Sequence, residues 1–237
     1  MNLESCLKRR DIWRGKKATR SGDTVATGFS VLDQHLPGGG WPQHALTEIL
    51  VENITYSPLW LLMPALGKIM STRPWQIWIT PPAIPYPPGL SQNGLDLSKI
   101  LMITAADRSD ILWSAEQALR SRACSAVLCW PGKLHQSATR RLQLAAEHGG
   151  GLGICFQNEN ALHTHSMATL KLHCRNTDDG LRIDLIKCRG GPLHQNLTVK
   201  HPSCRPTTAV KTKKGHTNDL GPSKPKKPFH FDSARSQ

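Results

Sequence analysis

The sequence predicts an α/β fold: a mainly parallel sheet with helices on both faces, followed by a C-terminal β-hairpin and a basic tail. Three observations predict it. Between residues 45 and 156, apolar runs of strand length alternate with segments of helical periodicity, the order that sets parallel strands side by side with crossover helices. From Leu170 the pattern changes to apolar–polar alternation on either side of Asn176-Thr177-Asp178-Asp179-Gly180, a turn sequence between two antiparallel strands. Beyond about His201 the chain is Lys, Pro, Thr and Ser with almost no apolar residue. It cannot offset the entropy of ordering and is expected to be disordered.

Asn2 to Lys17 reads as a short helix, with Trp13 needing cover from the core or from a partner. Ser21 to Val25 reads as a linker. Phe29 to Leu36 is a helical turn, and Gly38, Gly39 and Gly40 then allow a sharp change of direction. Trp41 follows on that loop as a candidate exposed anchor for a partner. Ala45 to Val51 is the first long strand. Ser57 to Ser71 has helical spacing in Leu59, Leu62, Met63, Leu66 and Ile69, with Ser57 as candidate N-cap and a kink or an interruption expected at Pro64. Trp75 to Thr80 is a strand, and Pro81, Pro82, Pro85, Pro87 and Pro88 mark an exposed loop.

Ile100 to Thr104 is a further strand. A helix capped by Asp107 or Ser109 runs to about Ala123, with Ile111, Leu112, Ala115, Ala118 and Leu119 on one face. Ala126 to Trp130 is a central strand, Ser137 to His148 a helix stopped by Gly149-Gly150-Gly151, and Leu152 to Phe156 another strand. The hairpin strands carry Leu170, Leu172 and Cys174, then Leu181, Ile183 and Leu185, and are expected at the edge of the sheet. Arg189-Gly190-Gly191-Pro192 ends them. The domain organisation follows: a basic helical arm and linker (1–25), an α/β core (26–165), a hairpin extension (166–200) and a basic tail (201–237).

A strand, loop and helix is the setting of a phosphate-binding P-loop. Here the loop after Val51 reads Glu52-Asn53-Ile54-Thr55-Tyr56-Ser57-Pro58. It lacks the glycines that expose amides, the lysine that reaches phosphate and the Gly-Lys-Ser/Thr ending that holds magnesium. The strand Ala126–Trp130 ends in tryptophan instead of an acidic residue. The scaffold of an ATPase is present with its active loop degenerate. Gly-x-Ser-x-Gly and His-Glu-x-x-His are both missing, so no catalytic residue, no cofactor and no enzyme activity is expected.

With these residues in view, Thr27–Val51 resembles the entry to the core of RecA-like proteins. Leu32–Leu50, LDQHLPGGGWPQHALTEIL, is most similar to ImuA, a RecA-like family associated with mutagenic translesion DNA synthesis. Asp11–Gly15 and Ile186–Pro192 also look ImuA-like. The related cell-division inhibitor family SulA shares Leu46 through Phe156 less closely. The ImuA resemblance implies a non-catalytic adaptor of the SOS response. Its implied partners are an ImuB-like Y-family polymerase homologue and a DnaE2-type polymerase, with RecA as a further contact. The SulA resemblance implies instead an inhibitor that binds the tubulin-like division protein.

The net charge of +13 sits on two arms. Residues 1–20 carry seven Lys/Arg against two Asp/Glu, residues 200–237 nine against two, and residues 21–199 fourteen against thirteen. Basic arms on a neutral core suggest nucleic acid, with Lys211, Lys213, Lys214, Lys224, Lys226 and Lys227 as candidate DNA contacts. The seven cysteines are scattered without Cys-x-x-Cys, which suits structural thiols in a reducing compartment. His163, His165, His173 and Cys174 match no zinc spacing, so no metal is expected. Lys8, Arg9 and Arg10 have no apolar stretch behind them and no run reaches membrane length, so a cytoplasmic location is expected.

Overall fold

Residues 24–202 are described by a computed structural model and lie within one unit spanning Met1–Cys204. The chain enters on Thr24–Val25 (β1), which pairs antiparallel with Trp41–Pro42 (β2). The last two residues of the expected linker are therefore part of a small ladder. Between the two strands lies the helix Ser30–His35 (α1). Its start is tied by Asp33, whose carboxylate accepts the Thr27 amide at 2.8 Å. Gly38 and Gly39 take φ of +77° and +75°, and a Cβ on Gly40 would lie 2.2 Å from the Val25 carbonyl oxygen. The glycine run thus serves both the turn and the close approach of β1.

Trp41 is 0% exposed and packs in the same core cluster as Val25, Leu32 and Leu36. It offers no surface to a partner. Pairing of β2 with β1 turns its indole under the sheet, where its large apolar area is hidden.

Ala45–Val51 (β3) is buried along its whole length. After it come two 3-10 turns, Ile54–Tyr56 and Leu59–Leu61, and the helix Met63–Ile69 (α2). The single helix expected from Ser57 is broken at Leu62. The interruption expected at Pro64 is thus present, and Pro64 sits in the first turn of α2, because a first-turn residue needs no N–H donor and its fixed φ suits the helix entry. Trp75–Ile79 (β4) follows, then the proline segment, whose last two prolines open the short helix Pro87–Gln92 (α3) by the same rule. Ile100–Ile103 (β5), Arg108–Arg120 (α4), Cys124–Cys129 (β6), Gln136–Gly149 (α5) and Leu152–Asn158 (β7) then alternate as the sequence predicts. Gly150, at φ +84°, donates to the Ala146 carbonyl at 2.8 Å and ends α5.

Leu170–Thr177 (β8) and Gly180–Cys188 (β9) form the hairpin, and Leu197–Lys200 (β10) is a third strand that the sequence reading missed. The eight-stranded sheet has the order β10-β9-β8-β3-β7-β6-β4-β5. The six strands from β8 to β5 run parallel; β9 alone runs against them and pairs antiparallel with β8 on one side and with β10 on the other. β8 pairs directly with β3, so the hairpin is inside the sheet and β10 takes the edge expected for it. One face of the sheet packs against α1, α2 and α3 through Ile49, Ile154 and Phe156. The other packs against α4 and α5 through Leu46, Val127 and Cys129. The tail from 205 onwards and the arm carrying Trp13 lie outside the described residues.

Candidate functional site

In a parallel sheet, ligands bind over the carboxyl ends of the strands. That end of this sheet is closed where a nucleotide would sit. After β3, the Thr55 amide donates to Asn53 Oδ1 at 3.0 Å, the Tyr56 amide to Asn53 O at 3.1 Å and the Leu59 amide to Ser57 O at 2.8 Å. Pro58 has no amide hydrogen. The donors that would cradle a phosphate are largely used inside the loop. Trp130, at the end of β6, stacks on Phe156 of β7 with centroids 4.9 Å apart and planes 13° apart. Its Nε1 donates to Ser57 Oγ at 2.9 Å, and Ser57 Oγ donates to Ile54 O at 2.6 Å. An indole therefore stands at the end of β6 and fixes the loop after β3. Purified protein is expected to show no magnesium-dependent nucleotide binding by calorimetry. Micromolar binding of ATP would contradict the closed geometry.

The same end of the sheet exposes large apolar side chains on its loops. Tyr56 is 69% exposed, Ile84 85% and Tyr86 74%. Thr80 turns the chain out of β4 at φ +51°, its amide bonded to Ile103 O at 2.7 Å, and the prolines that follow restrict the segment bearing Ile84 and Tyr86. Exposed apolar and aromatic groups brought to one end of the sheet suit a protein surface.

Beneath them a row of polar side chains crosses the α4–α5 face. Register partners Cys129, Cys155, Glu48, Lys171 and Lys187 stand side by side on β6, β7, β3, β8 and β9. Glu48 is 1% exposed, and neither carboxylate oxygen has a hydrogen-bond partner. Gln157 and Ser166 face it and moderate its charge, but Gln157 Oε1 takes the Leu134 amide and Ser166 Oγ the Ala168 amide. Lys171 Nζ donates to the carbonyls of Ala161, Leu162 and Thr164 at 2.8, 3.0 and 2.9 Å, and Lys187 Nζ to Ser166 O at 2.7 Å. These two ammonium groups tie the segment 161–166 to the hairpin. Burial raises the Glu48 carboxyl above its ordinary value, against the opposing pull of Ser166, Lys171, Gln157 and Lys187. The Cys129 sulfur, 2.9 Å away, and then burial push the Cys155 thiol well up, so this thiol is a poor nucleophile.

The raised Glu48 pKa fixes a pH dependence. The folded state holds its proton more tightly than the unfolded chain. This contribution to stability is full below the unfolded carboxyl value and is lost as pH rises through the folded value. Glu48→Gln is expected to gain stability relative to the parent as pH rises from about 4.5, reaching ~1–3 kcal/mol, the cost of an unsatisfied buried group. Urea unfolding at a series of pH values checks this, and a difference that stays flat or shrinks with rising pH contradicts it.

Of the residues singled out in the sequence, Trp41 is in the core, while Trp13 and the six tail lysines lie outside the described residues. Tyr56, Ile84 and Tyr86 went unremarked; the signal available was their place in loops after strands, next to prolines. Trp75 and Trp113 are exposed as well. His173 pairs with Glu159 at 3.0 Å, and among the described residues no group of three or more His, Cys, Asp or Glu is arranged to hold a metal.

A family model described as "Cell division inhibitor SulA" matches residues 46–153. The SulA of Edwardsiella piscicida is 34% identical over 97 residues, 41% of this chain and 58% of that protein. The chain thus spans little more than half the length of that relative. The SulA of Yersinia enterocolitica is 31% identical over 115 residues, 48% of this chain and 68% of that protein. The crystal structure of SulA from Pseudomonas aeruginosa aligns at 27% identity and a TM-score of 0.40, over 47% of this chain and 97% of that one. With 31% identity across more than two thirds of the Yersinia protein, the chain belongs to the SulA family.

Proposed function

We propose that this protein is a non-catalytic inhibitor of cell division in the DNA-damage response, acting in the cytoplasm by docking on the tubulin-like division protein. The observation that carries this reading is the carboxyl end of the sheet. Trp130, Phe156 and Ser57 close the nucleotide position, and Tyr56, Ile84 and Tyr86 stand exposed on the same end. Membership in the SulA family supports it, as does the printed description of its relatives as cell division inhibitors. Expression in a bacterial host is the first test. Filamentous cells with separated nucleoids support the reading, and cells of normal length contradict it.

A second reading is favoured by one feature. Strands β8–β10 join the sheet beyond the matched segment 46–153, and a basic tail follows. An ImuA-type adaptor would use this extension for ImuB-like and DnaE2-type polymerase partners, or for RecA, with Lys211, Lys213, Lys214, Lys224, Lys226 and Lys227 on DNA. Such contacts are electrostatic, with a log–log salt slope of about −0.7 per phosphate on single strands. Removing residues 205–237 should then weaken DNA binding and flatten the slope. Equal affinity and slope with and without the tail would rule out the DNA role.

A further inference from the structure

At the opposite end of the sheet, by the amino ends of β3, β6 and β7, a cleft of about 180 Å³ is lined by Gln43, His44, Thr72, Arg73, Ser125 and Gly150. Two of these side chains converge. A Cβ placed on Gly150 would lie 2.6 Å from His44 Cε1 and 3.0 Å from Arg73 Nη2, so imidazole and guanidinium meet over the bare glycine. Among the described residues Arg73 forms no ion pair with a carboxylate. Its Nη1 donates to the Gly149 carbonyl at 2.6 Å, which fixes the plane of the guanidinium and leaves Nη2 facing the cleft. His44 is held at φ +54°, a conformation costly for a residue with a β-carbon, and its amide is bonded to Gly151 O at 3.1 Å. The strained backbone sets the ring beside Arg73. The hydroxyls of Thr72 and Ser125 donate to Ile69 O and Trp75 O and add no free donor.

We propose that this cleft binds a single oxyanion of the phosphate class, held between the Arg73 guanidinium and the His44 imidazole. A guanidinium fork matches a tetrahedral oxyanion. The volume is below the roughly 300 Å³ at which cofactor pockets begin, so a whole nucleotide does not fit. The oxyanion is either free phosphate or a phosphate borne on a larger molecule whose remainder stays in solvent. This site is independent of the division-inhibitor reading.

The test is a titration of the full chain with inorganic phosphate at low ionic strength, followed by NMR, with sodium chloride as the control. Saturable shifts at His44, Arg73 and Gly150 are expected. Arg73→Lys, which keeps the charge and loses the fork, is expected to weaken binding at least tenfold. His44→Asn, which tolerates the positive φ, is expected to weaken it severalfold with an unchanged unfolding midpoint. The histidine variant decides the matter if Arg73→Lys does not fold. Glycerol phosphate in a parallel titration separates the sources: equal or tighter binding indicates a borne phosphate, and binding of inorganic phosphate alone indicates the free ion. Absence of saturable shifts, or identical binding by the parent and His44→Asn, overturns the proposal.

Discussion

Gly149→Ala is expected to destabilise the fold by ~3 kcal/mol or more. Gly149 is the last residue of α5, and a Cβ there would lie 1.8 Å from the Leu119 carbonyl oxygen and 2.9 Å from its carbonyl carbon. Both atoms are backbone at the end of α4, which cannot swing aside as a side chain can. The methyl must separate α4 from α5 and open the cluster in which Leu119, Leu142 and Ala146 pack against Val127. Gly132→Ala is the matched control. It has open space around it and a φ of +69°, so only the conformational cost of about 1 kcal/mol applies. Urea unfolding of both variants separates the two effects. If Gly149→Ala lies within about 0.5 kcal/mol of the parent, the close approach of the helices is wrong.

The second large effect concerns docking. Replacing Tyr56, Ile84 and Tyr86 together by serine is expected to weaken binding of the tubulin-like division protein by about 30-fold or more, the loss of a hot-spot contact of ~2 kcal/mol. All three side chains are mostly in solvent, so the unfolding midpoint should not fall. Trp113→Ser, at another exposed aromatic, should leave binding intact. Unchanged affinity in the triple variant together with a loss at Trp113 would move the interface to α4.

Much of the fold was legible because its signals are local. β3 reads as seven apolar or β-compatible residues, and α5 carries its own stop in Gly149-Gly150. The hairpin is announced by alternation around a two-residue turn, Asp178-Asp179. What was not legible depends on partners distant in sequence. Pro64 breaks a helical pattern in the chain, and only the start of α2 at Met63 makes it a first-turn residue. Four residues, Leu197 to Lys200, carry too little pattern to announce β10, which exists because β9 offers an open edge. Trp41 and Tyr56 both follow turn-rich stretches. Trp41 is buried because β1 pairs beside it, whereas no strand covers Tyr56.

The absence of P-loop residues after β3 can be read from composition, through the missing glycine and lysine. The replacement cannot. That Trp130 bonds Ser57 and stacks on Phe156 requires β6 and β7 to be neighbours, which parallel order alone does not state. Glu48 was placed in its strand, but its row of neighbours depends on register across five strands.

On the proposed function, this chain restrains the division machinery by docking, with no nucleotide chemistry of its own. The most direct measurement is sedimentation of the purified tubulin-like division protein, assembled with GTP, in the presence of increasing amounts of this protein and without ATP. The account predicts that pelleted polymer falls as this protein approaches equimolar amounts, and that the Tyr56/Ile84/Tyr86 serine variant leaves the polymer in the pellet. Undiminished polymer at severalfold molar excess of the folded parent protein would contradict it.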